Sequence, residues 1–154
     1  MNRRMASSLL LGVFGMAIGV TGPDTRVAAQ NADPLVMIVN KANSATVGMG
    51  KTSVKKLLLG ETARWPDGQS VTIVLRPVGS DERAALLNEI CGMSEAEFTR
   101  HNLQAQFMGQ TIASLHQERS PAALKNFVKS NSGAVGFLHR SEADESVKIA
   151  WVVQ

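Results

Sequence analysis

The sequence predicts an α/β fold in which helices cover a central sheet. Short β-rich runs alternate along the chain with segments that begin on helix-start signals. The first run, residues 35–40, is almost unbroken in apolar side chains, which is typical of a strand buried on both faces. The alternation of strands and helices also favours parallel pairing between the strands.

A loop and a short helix are expected after the first strand. Residues 41–50 are rich in Asn, Ser and Gly, and Thr52 or Ser53 can cap a helix that continues to Leu59. Gly60 follows at the position where helices commonly end.

A turn, a second strand and a second helix come next. Trp-Pro-Asp-Gly at residues 65–68 has the composition of a turn, and residues 71–75 form a β-rich run. Ser80 is a favourable N-cap, and Asp81 and Glu82 would occupy the first turn, where the helix dipole favours negative charge. The apolar stripe of this helix would be Leu86, Leu87, Ile90 and Cys91.

Two further helices and two strands complete the predicted order. Ser94 and Glu97 have the spacing of a capping box, which predicts a helix over about residues 95–107. Ser120 followed by Pro121 is another helix start. The remaining β-rich runs are residues 134–138 and 147–152, and the charged stretch 141–146 connects them.

The composition is that of a single globular domain. The chain has 154 residues, of which 44% are apolar and 19% are charged, and its formal net charge is +3. These values exclude intrinsic disorder and a fibrous protein. Because Cys91 is the only cysteine, the domain depends on its hydrophobic core and not on an internal disulfide.

The first 29 residues have the organisation of a cleavable signal peptide. Arg3 and Arg4 precede an apolar run over residues 6–20, and Val-Ala-Ala at 27–29 offers a cleavage site. The run is shorter than the roughly 20 residues that span a bilayer, and an uncleaved anchor is the alternative. Cleavage would remove three Arg and one Asp and leave residues 30–154 as an exported domain with 13 basic and 12 acidic residues. That nearly neutral charge argues against a nucleic-acid partner.

A P-loop-like motif occurs at residues 45–52. It differs from a P-loop by one substitution and places Lys51 and Thr52 suitably for phosphates and a magnesium ion. A nucleotide site is disfavoured, because the loop begins several residues after the strand and no downstream strand ends in the Asp that would hold the metal. A flexible loop that enters a helix is the preferred interpretation.

No side-chain pattern indicates catalysis or metal binding. His101, His116 and His139 lack metal-ligand spacing, and one cysteine cannot complete a tetrahedral set. Cys91 lies in an apolar stripe, which favours an inert core thiol over a Cys/His nucleophile. A solvated loop is the preferred interpretation of the acidic residues Glu142, Asp144 and Glu145. The sequence therefore predicts no enzyme, no metal site and no cofactor.

One segment has the features of an anion site. Arg76 follows the second predicted strand, and Gly79 and Ser80 lead into the next helix, whose N–H groups and dipole would point at one place. The alternative is that Ser80 only caps its own helix, since Asp81 and Glu82 already neutralise that terminus.

At this segment, residues 76–80, the sequence resembles the phosphate ABC-transporter substrate-binding proteins of the type 2 periplasmic binding protein superfamily. The resemblance covers nearly all of the chain after the signal segment. One marker is residues 132–137, Ser-Gly-Ala-Val-Gly-Phe, which is similar to the family's Gly-Ala-Ile-Gly-Tyr strand. The other markers are residues 35–40, 56–60 and 65–68.

The resemblance implies a fold and a set of ligand residues. An Arg and a Gly-Ser-Gly-Thr sequence supply one lobe's share of the phosphate ligands in the family, and Arg76, Gly79 and Ser80 match that pattern. Asp81 and Glu82 depart from it, because they replace Gly and Thr with carboxylates. The family has two lobes that close on the ligand, whereas this chain resembles a single lobe.

Two classes of function follow from these observations. The first is a periplasmic solute-binding protein that binds a small anion such as phosphate, with a homodimer or a membrane transporter as its partner. The second is an interaction module that keeps the fold and uses the former cleft face to bind proteins. Arg76 and Ser80 favour the first class, and Asp81 and Glu82 favour the second.

Overall fold

A five-stranded mixed sheet forms the centre of the computed structural model, which describes residues 33–46 and 48–154. The order of the strands across the sheet is β3-β2-β4-β1-β5. The signal segment predicted over residues 1–29 lies outside the described residues. The strands are β1 Leu35–Val39, β2 Thr72–Leu75, β3 Ser114–Gln117, β4 Ala134–His139 and β5 Lys148–Val152.

The strand directions confirm the parallel prediction for one half of the sheet and correct it for the other. β2 pairs in parallel with both β3 and β4. β1 is antiparallel to both of its neighbours, β4 and β5. The prediction was wrong for β1, because a strand buried on both faces has the same apolar pattern in either direction.

Helices cover both faces of this sheet, as the sequence predicts. Helices α1 to α3 pack with one face of the sheet in the larger core, and α4 packs on the other face. β1 supplies both cores, since Met37 belongs to the larger core and Val36 and Ile38 belong to the smaller one. The helices are α1 Lys51–Leu58, α2 Asp81–Leu86, α3 Glu95–Phe107 and α4 Pro121–Ser130.

The helix starts follow the predicted signals in three cases of four. Ser80, Ser94 and Ser120 are the N-caps of α2, α3 and α4, and the capping box at α3 is complete. The predicted cap of α1 by Thr52 or Ser53 is wrong. Gly50 is the N-cap, with an extended backbone and no side-chain hydrogen bond, so the helix begins one residue before Thr52.

Among the described elements, the sequence predicted neither β3, nor the π-helical end of the second helix, nor a short 3-10 helix, Arg140–Glu142. β3 is a four-residue edge strand whose side chains are mostly exposed, so it has no apolar run to identify it. The end of the second predicted helix is a π-helical segment, Leu87–Cys91, which directly continues α2. Within the described residues, no helix is long and apolar enough to cross a membrane.

Candidate functional site

The ends of three parallel strands define one edge of the sheet, which we call the carboxyl edge. β2, β3 and β4 run in the same direction, so the residues that follow them, Arg76, Glu118 and Arg140, lie along this edge. β1 begins at the same edge, where the Arg140 N–H donates to the Pro34 carbonyl at 2.9 Å. Open α/β sheets bind ligands outside the carboxyl ends of their strands. The predicted anion-site residues therefore lie at the edge where this architecture binds ligands.

Arg76 is largely buried at the carboxyl edge. Its Nη1 donates to the Glu118 carbonyl at 3.3 Å, which ties the end of β2 to the end of β3. Its Nε lies 3.7 Å from Oε1 of Glu82, which is too long for a hydrogen bond. Among the described residues this buried Nε has no hydrogen-bond partner. Arg76 thus has a counter-charge nearby but retains one unsatisfied N–H donor.

The segment from Gly79 to Ser80 turns the chain into α2. Gly79 has a φ of 88°, a left-handed conformation that glycine adopts without strain. The Ser80 hydroxyl accepts from the Arg83 N–H at 3.4 Å, and the Ser80 N–H donates to the Pro77 carbonyl at 3.1 Å. Ser80 therefore caps its own helix, which was the alternative to a role in an anion site.

A partly buried ion pair lies next to this segment. Arg83 is 5% exposed and donates through Nε and Nη2 to the two carboxylate oxygens of Glu95, at 2.7 and 2.6 Å. Its Nη1 donates to the Arg76 carbonyl at 3.2 Å. The sequence alone does not indicate a role for Arg83, because the partner carboxylate belongs to α3 and the pairing depends on tertiary structure.

An acidic cavity of about 340 Å³ adjoins the predicted anion site. Four carboxylates line it, those of Asp33, Asp81, Glu82 and Glu89. The Ser141 hydroxyl donates to the Asp33 carboxylate and lowers its pKa. Because these carboxylates are negatively charged near neutral pH, they oppose the approach of an anion from this side.

The three histidines are dispersed over the fold. His101 is half-buried, and its Nε2 lies 3.2 Å from the carbonyl of Leu59, the C-cap residue of α1. His116 stacks on Phe127 with ring centroids 4.2 Å apart, and His139 is the last residue of β4. Over residues 33–46 and 48–154, no three His, Cys, Asp or Glu side chains are placed to hold a metal ion together.

The remaining candidates for chemistry have structural surroundings. Cys91 is buried in the larger core, and this burial raises the pKa of its thiol to about 11. Asp144 accepts from Lys125 Nζ at 2.6 Å, which lowers the pKa of that carboxyl. Glu142 accepts from the His139 N–H at 3.0 Å. These contacts support the interpretation of Cys91 as a core thiol and of the acidic stretch as a connection.

We expect Lys51→Ala to leave the free energy of unfolding and any response to ligand unchanged. Lys51 and Thr52 are exposed at the start of α1, and Lys51 is far along the chain from Val39, where β1 ends. Thermal unfolding with and without ATP and magnesium tests this expectation. Stabilisation by ATP that disappears in the variant would contradict it.

The described fold is similar to solved structures of phosphate receptors. An ABC-type phosphate transport receptor from Vibrio cholerae matches with a TM-score of 0.52 and 23% identity, over 79% of this chain and 46% of that chain. A Clostridium perfringens protein, assigned as a phosphate ABC transporter substrate-binding protein and solved with bound phosphate, matches with a TM-score of 0.60 and 22% identity, over 76% and 44%. PstS from Borrelia burgdorferi matches with a TM-score of 0.58 and 13% identity, over 76% and 46%.

These comparisons confirm the predicted fold class. The chain has the α/β fold of one lobe of the phosphate ABC-transporter substrate-binding proteins, and it spans less than half the length of the three structures. No protein-family model matches the sequence, and no curated protein matches it. At these sequence identities the similarity concerns the fold, and the function is argued from the site.

Proposed function

We propose that this lobe is a solute-binding domain for a small oxyanion of the phosphate type, with Arg76, Gly79 and Ser80 as its ligand residues. The similarity of fold to phosphate receptors supports a solute-binding role over an enzymatic one. The position of Arg76 at the carboxyl edge, after a parallel strand, supports an anionic ligand. We also propose that the cleft is closed by a second copy of the chain or by a membrane transporter.

The observation that carries the proposal is the unsatisfied Nε of Arg76. A buried N–H without an acceptor costs about 1–3 kcal/mol, so an anion that accepts from this Nε would offset the cost. A guanidinium also suits an oxyanion, because its N–H groups form a planar fork that matches two oxygens. Phosphate titration of the natural chain and of variants at Asp81 and Glu82 tests the proposal.

The neighbouring carboxylates limit the affinity that we expect. Glu82 already lies against the Arg76 guanidinium, and the Ser80 hydroxyl is engaged as a cap. A phosphate would compete with both contacts and would approach Asp81. We therefore propose that the site binds phosphate weakly in the natural chain.

The same Arg76–Glu82 contact favours a second candidate function. A guanidinium neutralised within the chain needs no external anion, and Val78, two residues after Arg76, is 59% exposed. An interaction module that binds proteins through the former cleft face would have these properties. This candidate gains support if neither the natural chain nor its less acidic variants respond to an oxyanion.

We further propose that the protein is exported to the periplasm and cleaved after Ala29. Arg3, Arg4 and the apolar run over residues 6–20 support this proposal. Intact-mass measurement of the protein from the cell envelope should give the mass of residues 30–154. Recovery of the full-length chain on membranes would contradict cleavage and would indicate an anchored protein instead.

A further inference from the structure

We infer that Arg83 is the positioning residue of the proposed anion site, and this inference rests on the proposed function. Arg83 does not itself supply the charge for the ligand, because Glu95 takes two of its donors in a bidentate contact at 2.7 and 2.6 Å. Its role is to hold the segment from Arg76 to Ser80, which carries the ligand residues.

Arg83 contacts this segment at both of its ends. Its guanidinium Nη1 donates to the Arg76 carbonyl at 3.2 Å, and its backbone N–H donates to the Ser80 hydroxyl at 3.4 Å. The three residues between these contacts include the left-handed Gly79. The other hydrogen bond inside the loop runs from the Ser80 N–H to the Pro77 carbonyl, at 3.1 Å. The Arg83 side chain therefore holds the start of the loop at Arg76, and the Arg83 backbone N–H holds its end at Ser80.

The Glu95 pair anchors Arg83 to a rigid element. Glu95 is the first residue of α3, a helix of 13 residues with a complete capping box. The Arg83 guanidinium also lies over the Phe98 ring, 5.9 Å from its centroid, and Phe98 is 1% exposed in the larger core. A planar guanidinium can satisfy Glu95 and the Arg76 carbonyl together, whereas a lysine ammonium has no such fork.

The test uses the mature protein carrying Asp81→Gly and Glu82→Thr, with inorganic phosphate as the probe. Arg83→Met and Glu95→Met are added together, because removing both members of this partly buried pair leaves no unpaired charge and allows the protein to fold. We expect phosphate affinity to fall about tenfold, the lower end of the loss seen when outer-shell partners are removed from metal sites. The matched control removes another ion pair, by Lys125→Met and Asp144→Asn, and should leave the affinity unchanged.

Hydrogen exchange gives a readout that does not depend on phosphate. In the natural background, Arg83→Met with Glu95→Met should reduce protection of the Ser80 amide, while the Ala123 amide, capped by Ser120 in α4, should stay protected. Arg83→Lys should have an intermediate effect on both readouts.

Unchanged phosphate affinity or unchanged protection of the Ser80 amide in a folded double variant would overturn the positioning role. If the parent does not bind phosphate, the proposed function fails, and exchange at Ser80 alone decides whether Arg83 holds the segment. Reduced protection there supports the role, and full protection rejects it.

Discussion

Gly133→Ala is expected to destabilise the domain by about 3 kcal/mol, the upper part of the usual range for overpacking. A methyl group at this position would overlap the backbone carbonyl of Ser70, which cannot move away as a side-chain end could. The Gly133 carbonyl also accepts from the Thr72 N–H at 3.1 Å and from the Trp65 indole at 3.0 Å. Displacement of Gly133 would therefore weaken the contact between the starts of β2 and β4.

Urea unfolding followed by tryptophan fluorescence measures this loss, since Trp65 is only 4% exposed and reports on the same region. Gly50→Ala is the matched control, because its methyl would meet no atom within 4 Å and its φ is −111°. The control should cost about 1 kcal/mol, the typical size of an N-cap effect. Equal stability of the two variants would show that β2 and β4 are not packed as described.

The elements that the sequence predicts well are those with local signals. Ser80, Ser94 and Ser120 each begin a helix because a cap hydroxyl accepts from an N–H three residues later, a contact that depends only on neighbouring residues. The buried strands β1 and β4 are also predictable, because each is a local run of apolar side chains. β3 has no such run, because an exposed edge strand is defined by its pairing with β2.

Only part of the candidate site can be predicted from the sequence, because only some of its contacts join neighbouring residues. Arg76, Gly79 and Ser80 stand in one short segment, so their proximity follows from the sequence. The contacts of Arg76 with the Glu118 carbonyl and of Arg83 with Glu95 join residues 42 and 12 positions apart, and only the folded chain brings them together.

The replacement of Asp81→Gly together with Glu82→Thr should raise phosphate affinity at least about tenfold. At about 4 Å and an effective dielectric of 20, two unit charges interact by about 4 kcal/mol, whereas a helix N-terminus favours an anion by about 1 kcal/mol. Even if solvent screens two thirds of the repulsion, the remaining ~1.4 kcal/mol corresponds to tenfold in affinity. The substitution also removes the Glu82 carboxylate from the Arg76 guanidinium and frees that cation.

The control for this variant separates local charge from net charge. Glu61→Gln with Glu145→Gln removes two exposed carboxylates from other segments and changes the net charge by the same amount. If affinity follows net charge alone, this control would bind phosphate as well as the Asp81 and Glu82 variant. If affinity depends on the site, the control would bind it as weakly as the natural chain.

Isothermal titration calorimetry with inorganic phosphate, at one ionic strength, tests the oxyanion site at Arg76 most directly. The three proteins are the natural chain over residues 30–154, the Asp81→Gly/Glu82→Thr variant of it, and that variant with Arg76→Ala. We predict weak or undetectable binding by the natural chain, clear binding by the double variant, and loss of that gain when Arg76 is replaced. Phosphate binding by the double variant that survives Arg76→Ala, or no binding by any of the three proteins, would contradict an oxyanion site at Arg76.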